Sequence, residues 1–307
     1  MNSEQNNQES RSTYFIAAFL PPLIWGFMSI PVRQIQAWPA DDILNYRIIT
    51  AVLLLSTYLL LFRRKAILKD KATYLALLPK ERKKFAVQTF LSAILIFGNW
   101  YSYIYAINNI SVQAAAFAYM ICPLITAFGA FFLLKEELSK QKWIALLLAS
   151  FSVYLLMTGS LLHVVVSITI AAFYAFYLII QRTVKGFDKL NLLALQLLIC
   201  SVFIIPILLL QHHPIPTSAH FWFNIVLIAV LFTIIPLFLS MYALIKISSS
   251  TTGILLYINP IIAFLLALFY FKEYVDPRRY IAYGILLLAI ALFNGETIAR
   301  LFIKNKK

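Results

Sequence analysis

Acidic side chains are scarce in this 307-residue chain: Asp and Glu number 12 against 26 Lys and Arg. Charge of either sign is thin as well, at 12% of residues, while apolar types (AVILMFWYC) reach 62%. A soluble domain carries about 25% charged and about 45 to 50% apolar residues. With a mean hydropathy of +0.84, no water-facing surface can be built, which excludes the roughly two soluble domains that length alone would suggest. Cysteine is nearly absent. Cys122 and Cys200 each lie inside an apolar run, so a disulfide scaffold is excluded and both read as small hydrophobes.

The missing carboxylates also remove most chemistry. All twelve acids fall in tails, loops or within about a turn of a predicted helix end, and there is no His-Glu-x-x-His helix, no Gly-x-Ser-x-Gly elbow and no intramembrane Asp pair. No catalytic residue, cofactor or metal is assigned, and the chain does not read as an enzyme. His212, His213 and His220 resemble metal-ligand spacing only loosely. With Pro214 and Pro216 beside them they read as a solvated loop. The net charge of +14 would point to nucleic acid in a soluble protein. Here the basic residues fall between apolar runs, where they orient helices in a bilayer, and no nucleic-acid partner is expected.

What is present is a series of long apolar runs. A membrane-spanning helix needs about 20 such residues, and the chain divides into ten: Tyr14 to Ile35, Ile43 to Phe62, Phe85 to Ile107, Val112 to Leu134, Trp143 to Thr158, Leu161 to Ile180, Leu190 to Leu210, Phe221 to Ile245, Thr251 to Phe271 and Tyr280 to Ile298. The expected class is an all-α integral membrane protein of ten transmembrane helices. The polar stretch Met1 to Ser12 is unlike a signal-peptide n-region, and no small-residue cleavage site follows the first run. Lys and Arg set the orientation. With the N-terminus inside, 21 of the 26 fall on the inner side and three (Lys272, Arg278, Arg279) on the outer, leaving Arg33 and Arg47 within spans. Basic loops resist translocation, so both termini are expected in the cytoplasm.

Sliding the chain by 137 positions sets Tyr105-Ala106 on Tyr242-Ala243, Pro123 on Pro260 and Lys135-Glu136 on Lys272-Glu273. A shift of 149 sets Trp25 on Tyr174, Arg33 on Arg182 and Arg47 on Gln196. Residues 14–158 and 161–299 therefore read as two five-helix repeats between a polar tail (1–13) and a basic tail (300–307). Five is odd, so the halves must cross in opposite senses, which is the inverted-repeat plan of many secondary transporters.

Several residues could then carry function. Arg47 lies about one turn inside the second span. Arginine at a helix centre costs roughly 2.5 to 3.5 kcal/mol on insertion scales and is usually kept for an anionic partner. Two readings fit: it faces the bundle interior and holds a substrate carboxylate, or it snorkels outward to Asp41, Asp42 or backbone carbonyls. Arg33 is expected to pair with Asp41 or Asp42. Pro123 and Pro260 each lack the N–H that would bond the carbonyl four residues back, in matching spans, and are expected to act as hinges; the alternative is a simple kink. Pro21, Pro22 and Pro236 share that ambiguity. Trp25, Asn99, Trp100, Tyr103, Tyr119, Tyr174, Tyr177, Tyr257 and Asn259 lie at apparent mid-membrane depth. Together they would line a cavity for an amphipathic solute; taken singly, each is also explained by interhelical hydrogen bonding.

Asn99-Trp100 through Asn108-Asn109, then Tyr119 and Pro123, the run from Phe132 through Glu136 and Trp143, and Leu256-Tyr257-Ile258-Asn259-Pro260 resemble the drug/metabolite transporter superfamily, its EamA-type branch and the RarD-like permeases within it. That resemblance implies a ten-helix carrier of the bacterial inner membrane, whose relatives export amino acids, other small metabolites or drugs. This chain departs from the family pattern with Lys135 and Lys272 where Gly is common, Tyr46 where His often precedes the arginine, and Cys122 for an expected Asn. The expected function is a secondary transporter, an exporter of small organic metabolites working by alternating access. Arg47 would hold a carboxylate, the aromatic rings the organic body and Asn99 a polar group. Its partners are a small-molecule substrate and the lipid bilayer. Facilitated efflux fits the scarcity of interior carboxylates, and proton coupling stays open.

Overall fold

The computed structural model describes the backbone of residues 2–303 apart from 111, 158–160, 211–213 and 273–275, and side chains of residues 12–295 apart from these, 108 and 112–114. His212, His213 and Glu273 lie outside the described residues. The described chain is helical, with no strand: α1 (Asn2–Gly26), α2 (Ser29–Gln34), α3 (Ala40–Phe62), α4 (Arg64–Ala76), α5 (Pro79–Asn109), α6 (Val112–Leu134), α7 (Lys140–Leu156), α8 (Leu161–Thr183), α9 (Lys189–Leu210), α10 (Ala219–Ala229), α11 (Ile235–Ala243), α12 (Ser249–Leu255), α13 (Ile258–Leu265) and α14 (Pro277–Ile303). Two π-helical turns, Val230–Ile234 and Leu266–Tyr270, sit inside the eighth and ninth apolar runs.

The protein is an all-α membrane protein. Eight helical stretches among the described residues are long and apolar enough to cross a bilayer, from Ser12–Gln34 to Ser249–Tyr270. The other two expected crossings fall on α7 and α14, which pack along each other; α7 has only 17 residues. The structure thus supports eight crossings by this measure, not the full ten. The basic stretch after the second span, expected as a loop, instead folds into α4, which buries none of its residues, and the third helix starts earlier than expected, at Pro79.

Large apolar side chains face lipid along the outside, including Leu53, Phe62, Leu147 and Val202, while alanines pack inside. Ala115, Ala118, Ala127 and Ala130 on α6 and Ala171 and Ala175 on α8 are buried, so the two backbones approach closely. Without a hydrophobic force between helices in lipid, such small-residue seams supply the dispersion contact that holds a bundle together. Glycine completes two of them. A Cβ on Gly26 would lie 2.5 Å from Ile262 of α13, and one on Gly253 would lie 2.8 Å from Thr126 of α6.

The end of α6 is set locally. Lys135 takes a left-handed backbone (φ 56°) and Glu136 N–H bonds back over six residues to the Ala130 carbonyl at 3.3 Å, so a left-handed residue of the kind that commonly ends helices closes α6. Lys272, 137 positions on, has φ 53°. Glycine adopts this conformation without strain, whereas another residue pays about 1–2 kcal/mol. That explains why a glycine is common there in the family the sequence resembles.

Gly253→Val is expected to lower the unfolding free energy by roughly 1–3 kcal/mol, the usual cost of forcing atoms into a packed seam. Gly284 has nothing within 4 Å of a built Cβ, so Gly284→Ala gains helix propensity of about 1 kcal/mol. Thermal unfolding in detergent checks both, and equal melting of Gly253→Val and wild type would contradict the close approach of α12 and α6.

Candidate functional site

Two of the spanning segments are broken, each one turn before a proline. The first run stops being helical at Phe27 and Met28 and resumes as α2, which contains Pro31. The ninth breaks at Leu256 and Tyr257 before α13, which contains Pro260. In each case the carbonyl that the proline cannot serve accepts instead from the residue just before it: Ile30 N–H to Phe27 O at 3.1 Å, and Asn259 N–H to Leu256 O at 3.1 Å. At Pro260 the helix is interrupted in this way. At Pro123 the structure differs: α6 runs through it unbroken, clamped between α8 and α12 with Gly253 seated against Thr126 and the Pro123 carbonyl. Pro21 and Pro22 likewise lie within continuous helix.

Pro236 acts through a different partner. It cannot donate to the carbonyl of Phe232 four residues back, in the π-helical turn, and the Trp25 indole N–H supplies that bond at 2.8 Å. Trp25 also meets Tyr174 edge-on, with centroids 5.9 Å apart. The proline thereby places an aromatic ring at the break of the first span. The pairing was available in the sequence as a freed carbonyl, but which donor would reach it depends on how α1 and the eighth span cross.

Arg47 is 9% exposed, with its guanidinium among aromatic rings inside the bundle. It lies over the Trp100 ring at 5.2 Å from the centroid and close to Tyr103 and Tyr119, whose own rings are 5.4 Å apart. Its Nε is buried without a hydrogen-bond partner. Beneath this group Cys122 lies near Tyr119, Tyr174 and Tyr257. Tyr257, at the break of the ninth span, is fully buried with an unpartnered hydroxyl. Arg47 is thus faced by Trp100, Tyr103 and Tyr119, and Tyr174, Trp25 and Tyr257 adjoin that group through Tyr119 and Cys122.

Two expected residues do not join it in that way. Asn99, 1% exposed, donates its side-chain amide to the Ile170 carbonyl at 2.8 Å, an interhelical clamp between α5 and α8. Asn259 is half-buried on α13, and among the described contacts none links its side chain to Arg47. A second polar knot was not foreseen: Tyr177 and Gln181 of α8 bond Gln196 of α9 at 3.4 and 3.0 Å. Gln196 was visible only as the repeat counterpart of Arg47.

The two ends of the bundle are joined differently. At one, Arg33 of α2 stacks on Phe271 at 3.7 Å, beside a nest of Trp38, Tyr46, Phe221 and Trp222. At the other, Glu136 reaches from the left-handed turn after α6 to the start of α12: Ser249 N–H donates to Oε1 at 2.7 Å, Ser250 N–H to Oε2 at 2.9 Å and the Ser250 hydroxyl to Oε2 at 2.6 Å. Thr251 N–H donates to the Ser248 hydroxyl and Thr252 N–H to the Ser248 carbonyl. The orphaned amides of Ser249, Ser250 and Thr251 are thus satisfied by side chains before Thr252 makes the first intrahelical bond, and the carboxylate sits at the positive end of the helix dipole.

Comparison with known proteins gives the same class. The family model described as EamA-like transporter family matches twice, over residues 12–158 and 161–295. The chain is similar to Protein RarD of Escherichia coli (strain K12), 27% identical over 285 residues covering 90% of this chain and 91% of that protein. It is also similar to Protein RarD of Streptomyces exfoliatus, 26% identical over 303 residues, covering 96% and 91%, and to an uncharacterized transporter, YojE, of Bacillus subtilis (strain 168), 25% identical over 281 residues, covering 90% and 91%. A protein of known crystal structure superposes with a TM-score of 0.74 at 15% identity, over 94% of this chain and 99% of the other. That likeness speaks to the fold alone.

Replacing Glu136 by Ala strands two backbone donors and a hydroxyl at the start of α12. Charge-assisted hydrogen bonds contribute about 1.5–3 kcal/mol, so Glu136→Ala is expected to lose about 2 kcal/mol of stability in detergent unfolding, and Ser248→Ala about 1 kcal/mol through its lost cap. Melting unchanged in Glu136→Ala would show that the contact is not made in solution.

Proposed function

We propose that this chain, which belongs to the EamA-like transporter family, carries small organic metabolites with a free carboxylate, amino acids foremost, across the cell membrane by alternating access. The observation that carries the proposal is Arg47, about 10 Å into α3 at 1.5 Å per residue, buried with its Nε unpartnered and faced by Trp100, Tyr103 and Tyr119. A buried cation left unsatisfied is costly, and a substrate carboxylate would answer it with a forked ion pair that only a guanidinium makes. The surrounding rings suit the organic body of the solute.

Ten spans in two inverted halves, 14–158 and 161–299, are part of the same reading. The double family match and the shared left-handed Lys135 and Lys272 support it. The broken first and ninth spans, packed at Gly26 and Ile262, supply the discontinuous helices that line transporter sites. The excess of basic residues on one side supports cytoplasmic termini. Flux is outward and facilitated, as the resemblance to exporters and the scarcity of interior carboxylates suggest. The bland counter-reading of Arg47 as a cation–π strut alone would leave transport intact when the guanidinium is replaced.

Efflux of labelled amino acids and short carboxylic acids from proteoliposomes tests this. Wild type is expected to exceed empty vesicles, Arg47→Gln to fall at least tenfold, equivalent to ~1.4 kcal/mol, and Arg47→Lys to fall nearly as far. Accumulation driven by an imposed pH gradient would replace facilitated efflux by proton antiport. Undiminished transport by a folded Arg47→Gln protein would remove the carboxylate role.

A further inference from the structure

A charged concavity lies away from the aromatic cluster, at the basic end of the bundle. A cavity of about 650 Å³ opens between α4, the 184–188 turn ahead of α9, and the chain just after α11. That volume is within the roughly 300–1,000 Å³ range of small-ligand sites. Six cationic side chains line it, Arg63, Lys69, Arg182, Lys185, Lys189 and Lys246, against two carboxylates.

Both carboxylates are already spent on the protein. Asp188 accepts from Arg63 at 2.7 Å and caps α9 by accepting from the Leu190 and Asn191 amides at 3.0 and 3.3 Å. Asp70 accepts from the Asp188 amide at 3.1 Å and from the Asn191 side chain at 2.7 Å. Arg182 gives a bond to the Leu244 carbonyl, and Lys189, only 7% exposed, gives one to the Val184 carbonyl at 2.7 Å. Lys69, Lys185 and Lys246 are exposed at the rim, with neither carboxylate engaged on them. Gly186, in a left-handed conformation with nothing within 4 Å of a built Cβ, keeps the turn open there.

The position of this cavity narrows its ligand. One wall is α4, which buries nothing and exposes Leu68 and Leu75 beside its basic residues. A short helix with exposed leucines and lysines, next to a membrane span, lies at headgroup depth. Basic pockets between helices at that level attract anionic lipid phosphates. We propose that this cavity binds a phosphate group, supplied by the headgroup of an anionic phospholipid, with the rim lysines closing on its oxygens and the acyl chains running along α4. Nothing in the transport reading requires this site, and its test does not involve transport.

Purified protein in a neutral detergent is titrated with cardiolipin, phosphatidylglycerol, phosphatidylcholine or inorganic phosphate, reading melting temperature and, by native mass spectrometry, retained lipid. Cardiolipin and phosphatidylglycerol are expected to raise the melting temperature and remain bound, phosphatidylcholine to do neither. Lys69→Gln/Lys185→Gln/Lys246→Gln is expected to weaken the apparent affinity at least tenfold. Lys80→Gln/Lys83→Gln/Lys84→Gln, which removes equal charge at exposed positions outside the cavity, is expected to weaken it less than threefold. A shift with inorganic phosphate alone that the first variant abolishes would keep the phosphate site and overturn its lipid source. Equal losses in both variants, or no difference between anionic and neutral lipid, would overturn the site.

Discussion

Hydrocarbon offers a peptide group no hydrogen bond, so every carbonyl that a proline deprives of its donor must find another inside the protein. That constraint organises this bundle. The Phe27 and Leu256 carbonyls turn to the residues just before Pro31 and Pro260, and the helix breaks at each place. The Phe232 carbonyl is met by the Trp25 indole, and the eighth span keeps its course through a π-helical turn. Where the chain breaks, a side chain of the aromatic cluster stands: Trp25 just before one break, Tyr257 at the other. The irregular backbone and the candidate site are consequences of the same shortage of donors.

Charge follows a similar logic. Burying a guanidinium is expensive unless something stabilises it. Trp100 contributes a π face and Tyr103 and Tyr119 their hydroxyl dipoles, while Nε goes unanswered. The cost is borne by the packing of α3 against α5, α9 and α10, which holds the arginine away from water. The glutamines facing each other on α8 and α9 show the neutral version: at the position 149 residues after Arg47, Gln196 accepts from Tyr177 and Gln181 and forms part of a hydrogen-bonded knot.

The left-handed turn after α6 shows how a local feature acts at a distance. A left-handed Lys135 turns the chain so that Glu136 leaves the helix axis and meets the exposed amides of α12, more than a hundred residues later. α12 in turn brings Gly253 against α6. One turn thus ties the end of the fourth span to the start of the ninth, immediately below the break at Tyr257, while Arg33 and Phe271 tie the first and ninth at their far ends. The ninth span is gripped at both ends and interrupted between them.

Composition and run length together determined that this is a helical membrane protein: with 62% apolar and 12% charged residues the chain belongs in lipid, where only helices and closed barrels satisfy the backbone, and uninterrupted apolar runs of about 20 residues fit helices. The residues of the site were legible for a related reason: a deep arginine and mid-span tyrosines are expensive enough to stand out against leucine. Their partners were not legible. That Asn99 clamps Ile170, that α6 runs straight through Pro123 while the first span breaks at Pro31, and that Glu136 caps α12 depend on which helices touch and at what height. Hydropathy is a property of each segment by itself, whereas a hydrogen bond between segments is fixed only when they pack.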